Sequence, residues 1–312
     1  MTVALVTGIT GQDGPYLAAH LRDHGAEVWA LSRTGGALPD LPFVHPTPPA
    51  DLLDQASLDR AVAAARPDEV YHLAARSSVG ESWTDPVGTG DATGLGTARL
   101  LEAVRRAAPD ARVFLASSSE VFGEPDRAPQ DETFPIRPVS PYGAAKAYAH
   151  HLARIYRRRH GLFVAVGILY NHESPLRPPS FVTRKITQGA VAIARGEQTE
   201  LRLGNLDAQR DWGFAGDYVQ AMRLMLQTDD PDEFVVATGQ IHTVRDWCER
   251  AFERVGLDYR DHVVTDDAFW RPLEPVPLVG DPTKAHRRLG WSPTVHFPEL
   301  VDLLVDADLL CL

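Results

Sequence analysis

The chain has 312 residues and a formal charge of −11; 44% of its residues are hydrophobic and 23% are charged. This composition is typical of a soluble globular protein that is long enough to bury a large core. The acidic excess argues against nucleic acid and anionic membrane surfaces as partners, and no apolar run approaches the ~20 residues of a membrane helix.

Strand and helix patterns alternate through about residue 170. Strands are predicted at Val3–Val6, Glu27–Leu31, Glu69–His72, Arg112–Ala116 and Phe163–Leu169. Helices are predicted at Tyr16–His24, Leu58–Ala65, Gly94–Ala108 and Tyr142–His160. Near-continuous apolar strands that alternate with amphipathic helices predict an α/β fold, a Rossmann-type doubly wound parallel sheet with helices on both faces.

The pattern loosens after Leu169 into the turn-rich stretch NHESPLRPPS. Strand and helix signals recur at Glu233–Thr238 and Val244–Val255, and a final helix is predicted at Phe297–Leu310. We therefore expect a cofactor-binding Rossmann domain over 1–170, with interleaved later segments from about 210–245. A smaller C-terminal α/β substrate domain is expected mainly over 171–312.

A glycine-rich loop, TGITGQDGPYL, follows the first predicted strand and places Gly8, Gly11 and Gly14 three residues apart. Glycine allows a sharp turn there, and it lets a pyrophosphate approach the N–H groups at the start of the next helix. Glycines are common in turns, but the strand before and the helix after are the context that a dinucleotide site requires. Thr10, Gln12 and Asp13 complete the predicted cofactor loop.

The ends of the next strands predict which dinucleotide binds. Arg33 follows the second strand, where an arginine suits the 2′-phosphate of NADP and an acidic residue would suit NAD. Asp51 and Leu52 are expected beside the adenine. The small residues Ala74 and Ala75 would let the cofactor pass close to the following strand.

Tyr142 and Lys146 are four residues apart on a predicted helix and share one face. Because a nearby ammonium stabilises a tyrosinate, we expect the pKa of Tyr142 to fall from ~10 toward neutrality. The stretch LASSSEVFG places Ser118 and Glu120 just beyond a strand, where parallel sheets carry their chemistry. Together with the glycine loop, this set resembles the nucleotide-sugar branch of the extended short-chain dehydrogenase/reductase superfamily.

Longer motifs occur throughout the chain, and they include NHESP, FVTRKI, LGNLDAQRDW and GDPTKAHRRLGW. With these motifs, nearly the whole chain resembles the GDP-mannose 4,6-dehydratase family. The resemblance implies that Ser118, Glu120, Tyr142 and Lys146 are the catalytic residues. Ser118 and Glu120 would also touch the sugar, and Tyr142 and Lys146 would also contact the cofactor. It further implies that the substrate contacts are Ser77, Asn171, Lys185, Arg210, Arg271 and Glu274.

The resemblance also implies an NADP-dependent hydro-lyase that turns GDP-mannose into GDP-4-keto-6-deoxymannose. A dehydratase of another GDP-linked sugar, such as a GDP-heptose, is an open alternative. A nucleotide-sugar epimerase, a 4-keto reductase and a catalytically inactive nucleotide-sugar-binding protein are further alternatives. Epimerases and reductases share the glycine loop and the Tyr–Lys pair but do not need Glu120, which therefore favours the dehydratase.

The chain departs from the family pattern at two places. Ser118 stands where the family usually has threonine, and its additional rotamer freedom can blunt positioning. The segment after Arg33 is short, which argues against the family's tetramer and favours a homodimer through the helices Gly94–Ala108 and Tyr142–His160.

The remaining polar residues give no sign of a metal or a disulfide. His72, His150 and His172 share no ligand spacing, so no metal site is expected. Cys248 and Cys311 are far apart in sequence and are expected to be free thiols. The chain starts directly with a strand pattern, leaving no room for a signal peptide, so a cytoplasmic location is expected.

Overall fold

The computed structural model describes residues 1–36, 38–266, 268 and 276–310. The strands are β1 (Val3–Thr7), β2 (Glu27–Leu31), β3 (His45–Pro46), β4 (Glu69–His72), β5 (Arg112–Ser118), β6 (Val164–Leu169), β7 (Asn171–Glu173), β8 (Leu201–Leu203), β9 (Gln209–Arg210), β10 (Trp212–Phe214), β11 (Glu233–Val236), β12 (His242–Thr243) and β13 (Val263–Thr265). The α-helices are α1 (Asp13–Asp23), α2 (Gln55–Ala65), α3 (Val79–Ser82), α4 (Pro86–Thr89), α5 (Gly96–Ala107), α6 (Pro141–His160), α7 (Val182–Ala194), α8 (Ala215–Met225), α9 (Val244–Arg254), α10 (Thr283–Leu289) and α11 (Phe297–Leu310).

Within the described ranges, seven strands form one sheet in the order β11-β6-β5-β4-β1-β2-β3, and every neighbouring pair is parallel. All residues of β4 and β6 are buried, as expected for strands that helices cover on both faces. Val6 of β1 faces the core beneath α1 and α8. The neighbouring Leu5 faces the core beneath α2, α5 and α6. The predicted doubly wound Rossmann-type fold is confirmed.

The strand order reverses between β1 and β4, which opens a crevice at the carboxyl edge of the sheet. The strand β5 is two residues longer than predicted, because its ladder with β6 continues to the pair Ser118 and Leu169. Ser118 is therefore the last strand residue at this edge. A 3₁₀ turn, Ser119–Val121, follows it directly.

Local signals fix the long helix α6. The Ser140 hydroxyl accepts from the Gly143 N–H at 3.0 Å, and Pro141 occupies the first turn. Gly161 ends the helix with a φ of 67°, a left-handed conformation that favours glycine. The predicted helix start at Tyr142 and its end at His160 therefore agree with the structure to within one residue.

The later part of the chain contributes to the main sheet and to a second core. The strand β11 pairs with β6, and Tyr218 and Met222 of α8 lie in the core that lies beneath α1. The helices α7, α9 and α11 surround a separate core that contains Trp247 and Phe297. Across the described ranges, no helix combines the length and the apolar character needed to span a bilayer.

The short segment after β2 folds back onto its own subunit. Its Val44 is buried, and Leu41 and Phe43 pack against the core beneath α1. The Arg22 guanidinium lies 4.4 Å from the centroid of the Phe43 ring. The strand β3 then adds to the edge of the sheet beside β2. These apolar side chains therefore pack against residues of the same chain.

Candidate active site

The glycine loop runs from β1 into α1 at the carboxyl edge of the sheet. Gly8 has a φ of +75°, and a Cβ there would lie 2.7 Å from the Ala74 backbone nitrogen. A Cβ on Gly14 would lie 2.1 Å from the Ile9 carbonyl oxygen. Side chains are therefore excluded where the loop meets its neighbours, while Thr10 and Gly11 stay exposed at the start of α1. This bare, turned helix N-terminus fits the pyrophosphate of a dinucleotide.

A buried polar chain holds the next strand end against this loop. The Thr7 hydroxyl lies 2.8 Å from His72 Nδ1 and accepts from the Ala74 N–H at 3.1 Å. His72 Nε2 lies 3.0 Å from the Thr97 hydroxyl. Burial, assisted by the Lys146 charge, lowers the pKa of His72 to about 3, so this imidazole is neutral. His72 is thus a core residue that fixes the position of Ala74, with Ala75 next to it.

The predicted adenine side lies at the ends of β2 and β3. The Ala50 N–H donates to the Ser32 carbonyl at 3.0 Å, which brings Asp51 close in space to Arg33. Arg33 is exposed. Leu52 packs tightly on α5, because a Cβ added to Gly96 would lie only 2.9 Å from the Leu52 Cβ. An exposed cation at this strand end can reach a 2′-phosphate.

Tyr142 and Lys146 lie on the buried face of α6, beneath the end of β5. Lys146 Nζ donates to the Ala116 carbonyl at 2.7 Å and lies 5.8 Å from the centroid of the Tyr142 ring. The Ser118 side chain hydrogen-bonds to the Tyr142 phenol. The end of β5 and helix α6 thus bring the Ser118 hydroxyl to a phenol and an ammonium that come much later in the sequence.

The Glu120 turn is packed onto the first turn of α6. A Cβ on Gly143 would lie 2.6 Å from the Glu120 carbonyl oxygen, so glycine is needed for this approach. The Glu120 N–H donates to the Ser118 hydroxyl at 3.3 Å. Glu120 is also close enough for its charge to raise the pKa of Tyr142. The carboxylate therefore belongs to the same site as the phenol.

The expected low pKa of Tyr142 is wrong. Burial raises the pKa of Tyr142 to about 12; the Ser118 hydrogen bond opposes this increase, whereas the Glu120 charge adds to it. Burial also lowers the pKa of Lys146 to about 8, with the Asp13 charge acting in the opposite direction. The Lys146 ammonium donates to the Ala116 carbonyl, whereas the phenol hydrogen-bonds to Ser118.

The predicted substrate residues are distributed over several elements. Ser77 is exposed before α3, and Asn171 begins β7, opposite Trp212 of β10. Lys185 Nζ, on α7, donates to the Arg202 carbonyl at 2.6 Å. Arg210 ends β9, only two residues before Trp212. Arg271 and Glu274 lie outside the described residues.

Two residues of the site were not predicted from the sequence. Arg177, in the turn after β7, lowers the pKa values of both Tyr142 and Asp13 through its charge. Its Nε lies 3.2 Å from Glu173 Oε2. His172 Nε2 lies 2.9 Å from Asp13 Oδ2. No spacing motif points to either residue, because both reach the site through the pairing of β7 with β10.

His150, the remaining histidine of the set considered for a metal, also has protein partners. His150 Nδ1 lies 3.2 Å from the Ser117 hydroxyl, and its Nε2 lies 3.0 Å from Glu233 Oε2. Among the side chains that the structure describes, no group of three or more His, Cys, Asp or Glu is arranged to hold a metal ion. The described site therefore combines a bare helix N-terminus with two groups that can exchange protons, Tyr142 and Glu120.

Comparison with known proteins gives a consistent result. The sequence model of a family described as GDP-mannose 4,6 dehydratase matches residues 5–304. GDP-mannose 4,6 dehydratase 1 of Arabidopsis thaliana is 47% identical, with 98% of this chain and 90% of the relative aligned. The Homo sapiens GDP-mannose 4,6 dehydratase is 41% identical, over 98% of this chain and 91% of the relative.

A solved structure shares the fold over the whole length of the chain. It is RMD from Pseudomonas aeruginosa complexed with NADPH, which is 25% identical and has a TM-score of 0.86. The superposition covers 99% of each chain. The family resemblance predicted from the sequence motifs is therefore confirmed.

Proposed function

We propose that this chain, which belongs to the GDP-mannose 4,6 dehydratase family, converts GDP-mannose to GDP-4-keto-6-deoxymannose with NADP as its cofactor. The observation that carries the proposal is the position of Glu120, two residues after the catalytic hydroxyl of Ser118 and packed onto the Tyr142 helix. The RMD structure with NADPH supports the choice of cofactor. Loss of water needs such a second acid–base group beside the oxidation site.

Tyr142 is the base of the first step. Its phenolate oxygen takes the proton of the sugar 4-hydroxyl, while the Ser118 hydroxyl donates to the C4 oxygen. The positive charge of Lys146, 5.8 Å from the ring centroid, favours the phenolate form. Because burial raises the pKa of Tyr142, the phenolate form depends on groups that oppose burial, among them the Ser118 hydrogen bond.

Glu120 performs the elimination. The new 4-ketone acidifies the C5 proton, which the Glu120 carboxylate removes. Glu120 then delivers a proton to the departing C6 hydroxyl, so that one water leaves and the carboxylate is regenerated. The Tyr142 phenol gives its proton back to the sugar once C6 has been reduced. The sugar then tautomerises to the 6-deoxy product. One carboxylate thus acts first as base and then as acid.

The cofactor site is proposed on the residues of the sheet edge. When bound, NADP accepts the C4 hydrogen as hydride and returns it to C6, so none is consumed. The α1 N-terminus at Gly11 would hold the pyrophosphate, and Arg33 would hold the 2′-phosphate. Asp51 and Leu52 would border the adenine, and Ala74 and Ala75 would leave room for the dinucleotide.

The sugar nucleotide is proposed to bind across the opening between β5 and the later elements. Ser77 and Asn171 would contact the sugar side, while Lys185 and Arg210 would neutralise the diphosphate. Arg271 and Glu274 are proposed to complete this contact set. A GDP-linked sugar other than mannose is the alternative, and competition assays with other GDP-sugars would identify it.

The direct test is a reaction with GDP-mannose and substoichiometric NADP, followed by mass spectrometry. The wild type is expected to yield a product lighter by one water, with many turnovers per NADP. Glu120→Gln is expected to reduce the rate of water loss by ~10²–10⁴-fold while NADPH still appears in a single turnover. Water loss at the wild-type rate in Glu120→Gln excludes Glu120 as the acid–base group.

A homodimer is proposed from the exposed apolar side chains around α6. They lie just after α3, on α4, on the π-helical turn Gly90–Leu95 and on α6, and they are Trp83, Val87, Leu95, Tyr148 and Ile155. Tyr148 and Ile155 are seven residues apart and so share one face of α6. The segment 38–49 is folded onto its own subunit, which supports a dimer over a tetramer. The division into domains near residue 170 and the cytoplasmic location stay predictions.

A further inference from the structure

The cofactor loop contains a carboxylate where the proposed function places a negatively charged pyrophosphate. Asp13 lies in the first turn of α1, between Gly11 and Gly14, and its side chain is 17% exposed. The helix dipole stabilises a carboxylate at this position, but the carboxylate repels an anionic ligand at the same helix end. Binding of the dinucleotide therefore requires a group that neutralises Asp13.

His172 is placed and hydrogen-bonded to do this. Its Nε2 lies 2.9 Å from Asp13 Oδ2, and its Nδ1 lies 2.8 Å from the Tyr170 carbonyl oxygen. A carbonyl and an ionised carboxylate can only accept hydrogen bonds, so both ring nitrogens must donate. An imidazole with two donors is the protonated imidazolium.

The loop and β7 are held together at a second point. Gln12 Nε2 donates to the His172 carbonyl at 2.8 Å and to Asp13 Oδ1 at 3.2 Å. The His172 ring stacks on Tyr218 of α8, with centroids 4.6 Å apart and an interplanar angle of 27°. The position of the imidazolium is thus fixed on three sides.

We infer that His172 is a positioning residue for the cofactor, because its proton neutralises Asp13 and joins the glycine loop to β7. The inference rests on the proposed NADP site. Because Asn171 precedes His172 on β7, the same link connects the cofactor loop to the proposed sugar side. His172 itself need touch neither ligand.

The charged groups around His172 and Asp13 determine how the contact between these two side chains responds to pH. Burial by itself lowers the pKa of His172, but the Asp13 charge and hydrogen bond outweigh burial and raise it, while Arg177 opposes this. The pKa of Asp13 is lowered, because His172 outweighs the effect of burial. Tyr218 of α8 stacks on the His172 ring, and the charge of Asp13 acts on Lys146 of α6 and raises its pKa, against burial. The imidazolium therefore persists to a higher pH than that of an ordinary histidine, and it is lost as the pH rises through its raised pKa.

The test is NADPH binding to the full chain, measured by fluorescence titration without substrate. His172→Gln is expected to weaken binding at least ~10-fold, because the Asp13 charge is left without its partner. Asp13→Asn/His172→Gln removes both charges and is expected to recover most of the affinity. His262→Gln is the matched control, since His262 contacts the Thr199 carbonyl and stacks on Phe252 in the other core.

The pH dependence gives a second readout. Wild-type affinity for NADPH is expected to fall as the pH rises past the raised pKa of His172, and the double variant is expected to lack this fall. If wild type and His172→Gln bind NADPH with equal affinity, the inference is overturned but the proposed cofactor is not. The same holds if the double variant binds NADPH as weakly as the single variant. A wild type that binds no NADPH at any pH overturns the proposed cofactor as well. If His172→Gln does not fold, the double variant and the wild-type pH profile decide.

Discussion

Gly14→Ala is the substitution that most directly tests the packing beneath the cofactor loop. The new Cβ would lie 2.1 Å from the oxygen, 2.4 Å from the carbon and 2.5 Å from the Cα of Ile9. All three are backbone atoms, so no side-chain rotation can relieve the overlap. Normal contact requires that α1 move from β1 by more than about 1 Å.

The displacement has two measurable consequences. It loosens Leu17 and Leu21 of α1 in the core, and overpacking of this kind typically costs ~1–3 kcal/mol of unfolding free energy. It also moves the helix N-terminus away from the proposed pyrophosphate position. We therefore expect a lower midpoint in denaturant unfolding and a weaker affinity for NADPH in the same variant.

Two other glycines form a graded control series. A Cβ on Gly11 would meet only the Gly8 oxygen, at 3.2 Å, and a Cβ on Gly90 would have nothing within 4 Å. We expect Gly11→Ala to lower stability slightly. Gly90 has a φ of −62°, which alanine adopts without strain, so Gly90→Ala is expected to leave stability unchanged or to raise it by up to ~1 kcal/mol. The packing argument is refuted if Gly14→Ala equals Gly90→Ala in both stability and NADPH affinity.

Three further predictions concern other parts of the site and the surface. Lys146→Met is expected to lower kcat by ~10²-fold or more while the fold persists in circular dichroism, because the phenolate of Tyr142 loses its cation; unchanged kcat contradicts that role. Arg33→Asp is expected to shift the ratio of NADP to NAD affinity toward NAD in parallel titrations, and an unchanged ratio removes Arg33 from the 2′-phosphate site. Ile155→Asp is expected to yield monomers in analytical ultracentrifugation, with Val264→Asp as the exposed control outside α6; a dimer that persists in Ile155→Asp argues against this interface.

Local sequence signals are sufficient to predict the strands and helices of the main sheet. The glycine loop and the caps of α6 at Ser140 and Gly161 act within a few residues, so their positions could be predicted from the sequence. The end of β5 was placed too early, because its last pairs depend on the partner strand β6. Pairs such as β7 with β10 involve three residues each and carry no periodic signal.

The electrostatics of the site depend on contacts between distant segments. The spacing of Tyr142 and Lys146 predicts a shared helix face, but it does not reveal that Lys146 donates to the Ala116 carbonyl. The burial that raises the pKa of Tyr142 arises from the whole fold. His172 and Arg177 enter the site from beyond β6, so their effects on Asp13 could not be predicted from local patterns.

The central claim is that Tyr142 and Glu120 act in one internal redox and elimination cycle. The most direct measurement uses GDP-mannose labelled with deuterium at C4, substoichiometric unlabelled NADP and mass or NMR analysis of the product. The account predicts a product that has lost one water and carries the deuterium at C6. A product without the label at C6, or a labelled sugar that has lost no water, would contradict it.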